Sequence, residues 1–234
     1  MASPMTVGFP LYQGCTLLDF AGATQIFAFT GVFTPVWIAA TADPIATTEG
    51  IEVVPNFTFD NHPELGMIFV PGGGGDGVSG AMLDPTYQGW LKSVGAKTEW
   101  VGSVCTGGLV LAASGLLDGC AATTYWSARS VLAMFPNITL LPGYPRWHVD
   151  VEKKRFSGGG ISSSLDLALR LVEVIAGREV AETTQLSNQY APGPPVNAGD
   201  PTEASPELVI SVTQSQASFT AQITAAAQQV ISGS

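Results

Sequence analysis

The sequence has 234 residues, of which 46% are hydrophobic and 12% charged. This composition can bury one large core, so we expect a single enzyme-sized domain. Nine Lys and Arg residues against 19 Asp and Glu residues give a formal net charge of −10. Because nucleic acids and anionic membranes bind basic surfaces, neither is an expected partner.

The first residues lack the cationic start and the long apolar core of a secretory signal. No apolar run reaches the roughly 18 residues needed to cross a bilayer. The three cysteines, Cys15, Cys105 and Cys120, are an odd number without a C-x-x-C spacing. This pattern fits reduced thiols better than disulfides or a structural zinc site, so we expect no metal. These features predict a soluble protein of the cytoplasm.

Short apolar runs alternate with helical patterns, which is typical of a layered α/β domain with a mainly parallel sheet. The apolar runs predict strands at residues 6–9, 35–40, 67–70 and 100–104. The periodic segments predict helices at about residues 19–30, 81–94 and 106–114.

The second half of the chain predicts further elements. Residues 138–161 indicate added strands with a hairpin turn at Lys153-Lys154. Residues 163–166 resemble a capping box and predict a helix that buries one apolar face, formed by Leu165, Leu169, Val172 and Ile175. After a Pro-rich and Gly-rich crossing from residue 191, residues 207–231 predict a terminal helix that packs on a neighbouring subunit.

Cys105 stands between a predicted strand and a predicted helix, with Gly102, Gly107 and Gly108 close by. Sharp strand-to-helix turns of this kind expose a nucleophile, and glycines remove the Cβ atoms that would clash. The N-terminus of a helix also favours a thiolate, so we expect a Cys105 pKa below the free value of about 8.5. The alternative is a buried packing cysteine, which is the interpretation for Cys15 and Cys120.

Asp19 is the candidate partner of this thiol, since it precedes a predicted helix among apolar residues. The alternative role is that of a helix N-cap, and the two roles are compatible. The only histidines, His62 and His148, lie in a turn-like stretch and on the polar side of a predicted strand. We expect both at the surface, which leaves proton transfer to Asp19.

A glycine run at residues 72–75 follows the strand predicted at 67–70. It contains a formal G-x-G-x-x-G, but Glu99 precedes the next strand rather than ending it, which argues against a dinucleotide site. We expect the loop amides at Gly72 and Gly73 to approach a substrate and stabilise developing charge. A flexible structural turn is the alternative.

Four segments, GFPLYQGCTLLDFAG, MIFVPGG, SVCTGGLVLAASGLLDG and ATTYW, together resemble the ThiJ/PfpI superfamily. The resemblance covers roughly residues 6–201. It implies a flavodoxin-like three-layer α/β sandwich with a mainly parallel sheet, a cysteine on a nucleophile elbow, and a homodimer. We expect residues 1–201 to form the catalytic domain, and residues 202–234 a helical tail in the same domain or a dimer-packing extension.

Within the superfamily the chain is most similar to the isocyanide hydratases, since Asp19 stands in an L-D-x-x-G segment where glyoxalase-like and deglycase-like relatives carry glutamate. The resemblance implies a cofactor-independent hydro-lyase that converts an isocyanide to an N-substituted formamide through a Cys105 thioimidate. Thr106 matches a position that contacts the active site. Tyr125 replaces the histidine of the T-T-H-W segment found in many relatives. A glyoxalase-like or deglycase-like enzyme and a non-catalytic thiol sensor are the alternatives.

Overall fold

A central sheet of seven strands organises residues 3–233, the part of the chain that the computed structural model describes. Its strand order is β10-β11-β7-β6-β1-β2-β5, and all neighbours are parallel except β10 and β11. Two short ribbons, β3-β4 and β8-β9, lie outside it. The strands are β1 (Met5–Pro10), β2 (Phe33–Ala39), β3 (Ile45–Ala46), β4 (Glu52–Val53), β5 (Phe57–Thr58), β6 (Met67–Val70), β7 (Trp100–Ser103), β8 (Ala121–Ala122), β9 (Thr139–Leu140), β10 (Trp147–Asp150) and β11 (Arg155–Gly158).

Helices cover both faces of the sheet, which gives the expected flavodoxin-like sandwich of three layers. The helices are α1 (Leu17–Ala28), α2 (Gly75–Leu83), α3 (Pro85–Gly95), α4 (Gly107–Ala113), α5 (Arg129–Leu132), α6 (Ser163–Ala176), α7 (Arg178–Ser187), α8 (Pro206–Ser215) and α9 (Ala217–Ser232). Within one layer α6 packs against α1 and α7, and in the other α2 packs against α4 and α9. Within residues 3–233, no helix is both long and apolar enough to cross a membrane.

The four strands predicted from apolar runs are confirmed as β1, β2, β6 and β7. Every residue of β6 and β7 is buried. Central parallel strands are covered on both faces, so their sequences read as continuous apolar runs. The predicted additional strands are also present, and the Lys153-Lys154 turn joins β10 to β11 with Lys154 at a φ of 53°.

The single helix predicted at residues 81–94 is wrong, because the chain there forms two helices, α2 and α3. Asp84 has extended backbone, and its side chain accepts the Thr86 N–H at 2.8 Å as the N-cap of α3. Pro85 follows at the first helical position, where its missing N–H costs no hydrogen bond. The apolar periodicity continues across this break and conceals it.

The predicted capping box of α6 is wrong, and its predicted buried face is correct only in part. Its N-cap is Ser162, which makes no side-chain capping bond, and the Ser163 hydroxyl instead donates to the Gly160 carbonyl at 2.5 Å. Val172 is buried as predicted, together with Leu167 and Leu171, whereas the other predicted residues, Leu165, Leu169 and Ile175, are only partly buried. The apolar surface of α6 is wide because the helix packs against both the sheet and α1.

Residues 207–231 form two helices rather than the single predicted one. The second, α9, packs on α2 of the same chain and buries Ile223, Ala226 and Ala227. The Gln222 amide donates to Asp76 Oδ1 at 2.6 Å and fastens the two helices. In contrast, α8 has no buried residue. The apolar face of α9 is therefore satisfied within its own chain.

Close packing at Gly102 generates a stability prediction. Gly102 pairs with Phe156 across β7 and β11, and a Cβ there would come within 2.2 Å of the Phe156 carbonyl oxygen. We expect Gly102→Ala to lower the free energy of unfolding by about 1–3 kcal/mol or more in urea unfolding. The control is Gly89→Ala on exposed α3, where a Cβ meets nothing within 4 Å. That change should add about 0.5–1 kcal/mol, and equal effects of the two variants would contradict the clash.

Candidate active site

Three central strands end at one edge of the sheet and deliver the candidate residues. The strands β1, β6 and β7 are adjacent and parallel, so their carboxyl ends lie together. The segments that follow them carry Asp19, Gly72 and Cys105 respectively. Sites in open α/β sheets form at this edge, outside the carboxyl ends of the strands.

Cys105 occupies the sharp turn between β7 and α4 with a φ of 55°, which is unusual for a residue other than glycine. Its N–H donates to the Gly159 carbonyl at 2.7 Å, and its carbonyl accepts the Thr124 hydroxyl at 2.7 Å. These bonds hold the strained backbone in place. The side chain is 5% exposed, so the predicted turn is present but its sulfur is largely buried.

Asp19 is completely buried in the first turn of α1. Its Oδ2 accepts the Gly72 N–H at 2.7 Å, and its Oδ1 has no hydrogen-bond partner among residues 3–233. Burial raises the pKa of Asp19 to about 8 against the lowering effect of the Gly72 bond. The N-cap alternative is wrong, since the cap position belongs to Thr16.

The Cys105 thiol and the Asp19 carboxyl interact and shift each other's protonation. Burial, and then the negative charge of Asp19, raise the pKa of Cys105 well above its ordinary value, while the Thr106 N–H lowers it. The expected low thiol pKa is therefore wrong. The helix N-terminus acts as predicted, but loss of solvation outweighs it. Because each group shifts the pKa of the other, the titration of one depends on the state of the other.

The glycine loop at residues 72–75 packs very closely against Asp19 and Thr106. A Cβ on Gly72 would lie 2.7 Å from Thr106 N and 2.8 Å from Asp19 Oδ2, and one on Gly73 would lie 2.4 Å from the Gly14 carbonyl oxygen. The Gly72 N–H is bonded to Asp19, and the Gly73 N–H donates to Thr106 Oγ1 at 3.0 Å. The prediction that both amides are free to meet a substrate is wrong, because the loop uses them to bind its neighbours.

Glu49 contributes to the site and was missed by the sequence reasoning. Its Oε2 accepts the Leu17 N–H at 3.0 Å, which satisfies the first turn of α1 that Thr16 leaves uncapped. Its charge also helps to raise the pKa of Asp19. Glu49 lies 32 residues from Leu17 in a loop between β3 and β4, so no local pattern signals the contact.

The remaining candidates lie in other surroundings. Cys15 and Cys120 are free and buried, in agreement with their interpretation as packing residues. His62 is half-buried, and its Nε2 accepts the Trp90 indole N–H at 3.1 Å. His148 is half-buried on the edge strand β10. Both histidines are thus less exposed than predicted.

A groove of about 770 Å³ runs beside the turn that holds Cys105. Thr124 and Gly159, which bond to the Cys105 backbone, both line it. Its walls include three aromatic side chains, Tyr125, Trp126 and Tyr144. The groove can therefore hold a small molecule among aromatic side chains, next to the residues that bond to the Cys105 backbone.

The raised pKa of Asp19 predicts a pH-dependent stability. An aspartate in an unfolded chain has a pKa of about 3.9, so between about pH 4 and pH 8 the folded state holds a proton that the unfolded state lacks. Stability from this group is complete below about pH 4 and is lost as the pH rises through 8. Asp19→Asn removes the titration and keeps an acceptor for the Gly72 N–H.

We expect the free energy of unfolding of Asp19→Asn, relative to the unmodified protein, to rise between pH 5 and pH 8. The slope should be at most about 1.4 kcal/mol per pH unit in urea unfolding. Asp60→Asn, at an exposed position, is the control and should leave the pH dependence unchanged. A difference between Asp19→Asn and the unmodified protein that is constant with pH would contradict a protonated, buried Asp19.

Relatives of known description share most of the chain. Isonitrile hydratase of Pseudomonas putida is 33% identical over 213 residues, which are 91% of this chain and 90% of that protein. The HTH-type transcriptional regulator GbdR of Pseudomonas aeruginosa is 25% identical over 76% of this chain, and the match spans 49% of the regulator.

Solved structures are similar over the whole architecture. A ThiJ/PfpI family protein from Pseudomonas syringae matches with a TM-score of 0.89 and 32% identity, and the match covers 96% of this chain and 91% of that one. Drosophila melanogaster DJ-1beta matches with a TM-score of 0.70 and 17% identity over 81% of this chain and all of that one, a likeness of fold. Residues 5–140 match the model of the DJ-1/PfpI family. The chain belongs to the DJ-1/PfpI family.

Proposed function

We propose that the protein is an isocyanide hydratase, a cofactor-independent hydro-lyase that adds water to an isocyanide and releases an N-substituted formamide. The observation that carries this proposal is the buried pair of Cys105 and Asp19 at the carboxyl ends of central strands, with Asp19 held by the Gly72 N–H. Such a pair supplies a nucleophile together with a proton carrier. The similarity to isonitrile hydratase over 91% of the chain supports the same reaction.

The first half of the proposed reaction captures the isocyanide. Below its pKa of about 8 the Asp19 carboxyl is protonated, and it gives this proton to the terminal isocyanide carbon as the Cys105 sulfur bonds to the same carbon. The thiol proton passes to the Asp19 carboxylate, so a neutral thioimidate, R–N=CH–S–Cys105, results and Asp19 is protonated again. The interaction between the Asp19 carboxyl and the Cys105 thiol suits the pair to this exchange. The Thr106 N–H stabilises negative charge on the sulfur.

The second half releases the product. Asp19 gives its proton to the substrate nitrogen and takes one from a water molecule as the water oxygen bonds to the thioimidate carbon, which gives R–NH–CH(OH)–S–Cys105. The C–S bond of this adduct breaks, its hydroxyl proton passes through Asp19 to the Cys105 sulfur, and the formamide R–NH–CHO leaves. One isocyanide and one water give one formamide, and the thiol is regenerated. An acid–base group with a pKa of about 8 can both accept and donate protons near neutral pH.

Purified protein should hydrate an aromatic isocyanide, with formation of the formamide followed by chromatography. Cys105→Ala should lower turnover at least about 1,000-fold, and Asp19→Asn about 100-fold or more. Cys120→Ala is the matched control and should keep activity, as should Cys15→Ala. Turnover of methylglyoxal instead would favour the glyoxalase-like or deglycase-like alternative, and turnover of neither compound would favour a thiol sensor. Substantial hydration by Cys105→Ala would refute the nucleophile assignment.

We further propose that the protein works in the cytoplasm. Its three cysteines, Cys15, Cys105 and Cys120, are all free thiols. Reducing compartments keep thiols in this state. We take residues 1–201 as the catalytic part of the chain, since they include all the segments that surround Cys105 and Asp19.

A homodimer is the proposed assembly, with a shared surface near the turn that holds Cys105. Leu208 and Ile210 of α8 are 44% and 57% exposed on a helix that has no buried residue, and Leu208 lines a small cavity with Trp126. Exposed apolar side chains grouped in this way mark an interaction surface. Light scattering at micromolar concentration should give twice the 24.3 kDa chain mass. A mass near 24.3 kDa would count against the dimer.

A further inference from the structure

Tyr125 lies close to Thr124 and Gly159, the two residues that bond to the Cys105 backbone. It follows Thr124, whose hydroxyl bonds to the Cys105 carbonyl, and it lines the 770 Å³ groove. Its ring also lies against Gly160, where a Cβ would be 3.4 Å from Tyr125 Cδ2. Gly160 follows Gly159, the acceptor of the Cys105 N–H. The Tyr125 ring is therefore part of the groove wall next to the residues that bond to the Cys105 backbone.

The C-terminal helices hold the Tyr125 side chain in place. The Gln216 amide, at the junction of α8 and α9, donates to the Tyr125 hydroxyl at 2.8 Å. Phe219 in α9 makes an edge contact with the Tyr125 ring at a centroid distance of 6.4 Å. Because α9 packs on α2 through Ile223, Ala226 and Ala227, these two contacts join the ring to a helix that is anchored on the domain.

We propose that Tyr125, positioned by Gln216, is a specificity-determining residue that favours isocyanides with a large aromatic substituent. This inference rests on the proposed hydratase function and adds the substrate class. Trp126 and Tyr144 line the same groove, so an aryl group placed there can meet further aromatic side chains. Aromatic rings attract each other beyond their buried area. A small alkyl substituent buries less area and lacks this additional attraction.

The test compares hydration of 2-naphthyl isocyanide with hydration of isopropyl isocyanide, as the ratio of the two kcat/KM values. Tyr125→Leu removes the ring and should lower this ratio about 3- to 10-fold. Tyr125→Phe and Gln216→Leu keep a ring but remove its anchor, and should lower the ratio about 2-fold, mainly through KM. Gln228→Leu, at an exposed position on the same helix α9, is the matched control and should leave the ratio unchanged.

Several outcomes overturn the assignment. An unchanged ratio in Tyr125→Leu, or an equal loss for both substrates, would reduce Tyr125 to a structural role. Circular dichroism checks the fold of each variant, and the two milder variants carry the test if Tyr125→Leu does not fold.

A binding measurement distinguishes failure of the hydratase proposal from failure of the specificity proposal. If the unmodified protein hydrates neither isocyanide, calorimetry compares binding of N-(2-naphthyl)formamide and N-isopropylformamide to Cys105→Ala, with and without Tyr125→Leu. Tighter binding of the naphthyl compound that depends on Tyr125 supports the specificity role without the reaction. Equal affinities, or no measurable binding, overturn it.

Discussion

The hydrogen bond from the Gly72 N–H to Asp19 Oδ2 is the constraint on which the rest of the site depends. Gly72 fits between Asp19 and Thr106 only because it has no Cβ. The loop after β6 therefore sets the separation between α1 and the start of α4, and with it the separation between carboxyl and thiol. The segments that carry Asp19, Gly72 and Cys105 follow the ends of three adjacent strands. A shift of any one segment therefore changes the separation between carboxyl and thiol.

Burial of this pair decides its chemistry. The Thr106 N–H and the start of α4 favour a thiolate, but α4 has only seven residues and Cys105 is 5% exposed. Loss of solvation therefore dominates, and the charge that Asp19 carries when ionised strengthens the effect. A site that keeps its protons until a substrate arrives suits an addition in which carbon, nitrogen and sulfur each gain a proton in turn. A permanent thiolate would attack as readily but would leave the delivery of protons to solvent.

The sequence predicted the elements whose signal is local, and failed where a distant partner decides. Central strands such as β6 read clearly because both faces are buried, and the turn at Cys105 follows from the small residues around it. The break at Asp84 was hidden by continuous periodicity. The contact between Glu49 and Leu17 joins residues 32 positions apart, so no local pattern predicts it. The low pKa expected for Cys105 followed from the nearby helix N-terminus alone, whereas burial has the larger and opposite effect.

In the proposed reaction, the groups that exchange protons lie at the carboxyl ends of the central strands. The groove is bounded by Leu18, beside Asp19, and otherwise by later segments within residues 124–126, 144–146, 159–163 and 194–203. The Tyr125 hydroxyl accepts the Gln216 amide at the head of α9, which holds the ring as part of the groove wall. Under the proposed function, the residues that contact the substrate can therefore vary while the pair of Cys105 and Asp19 stays the same.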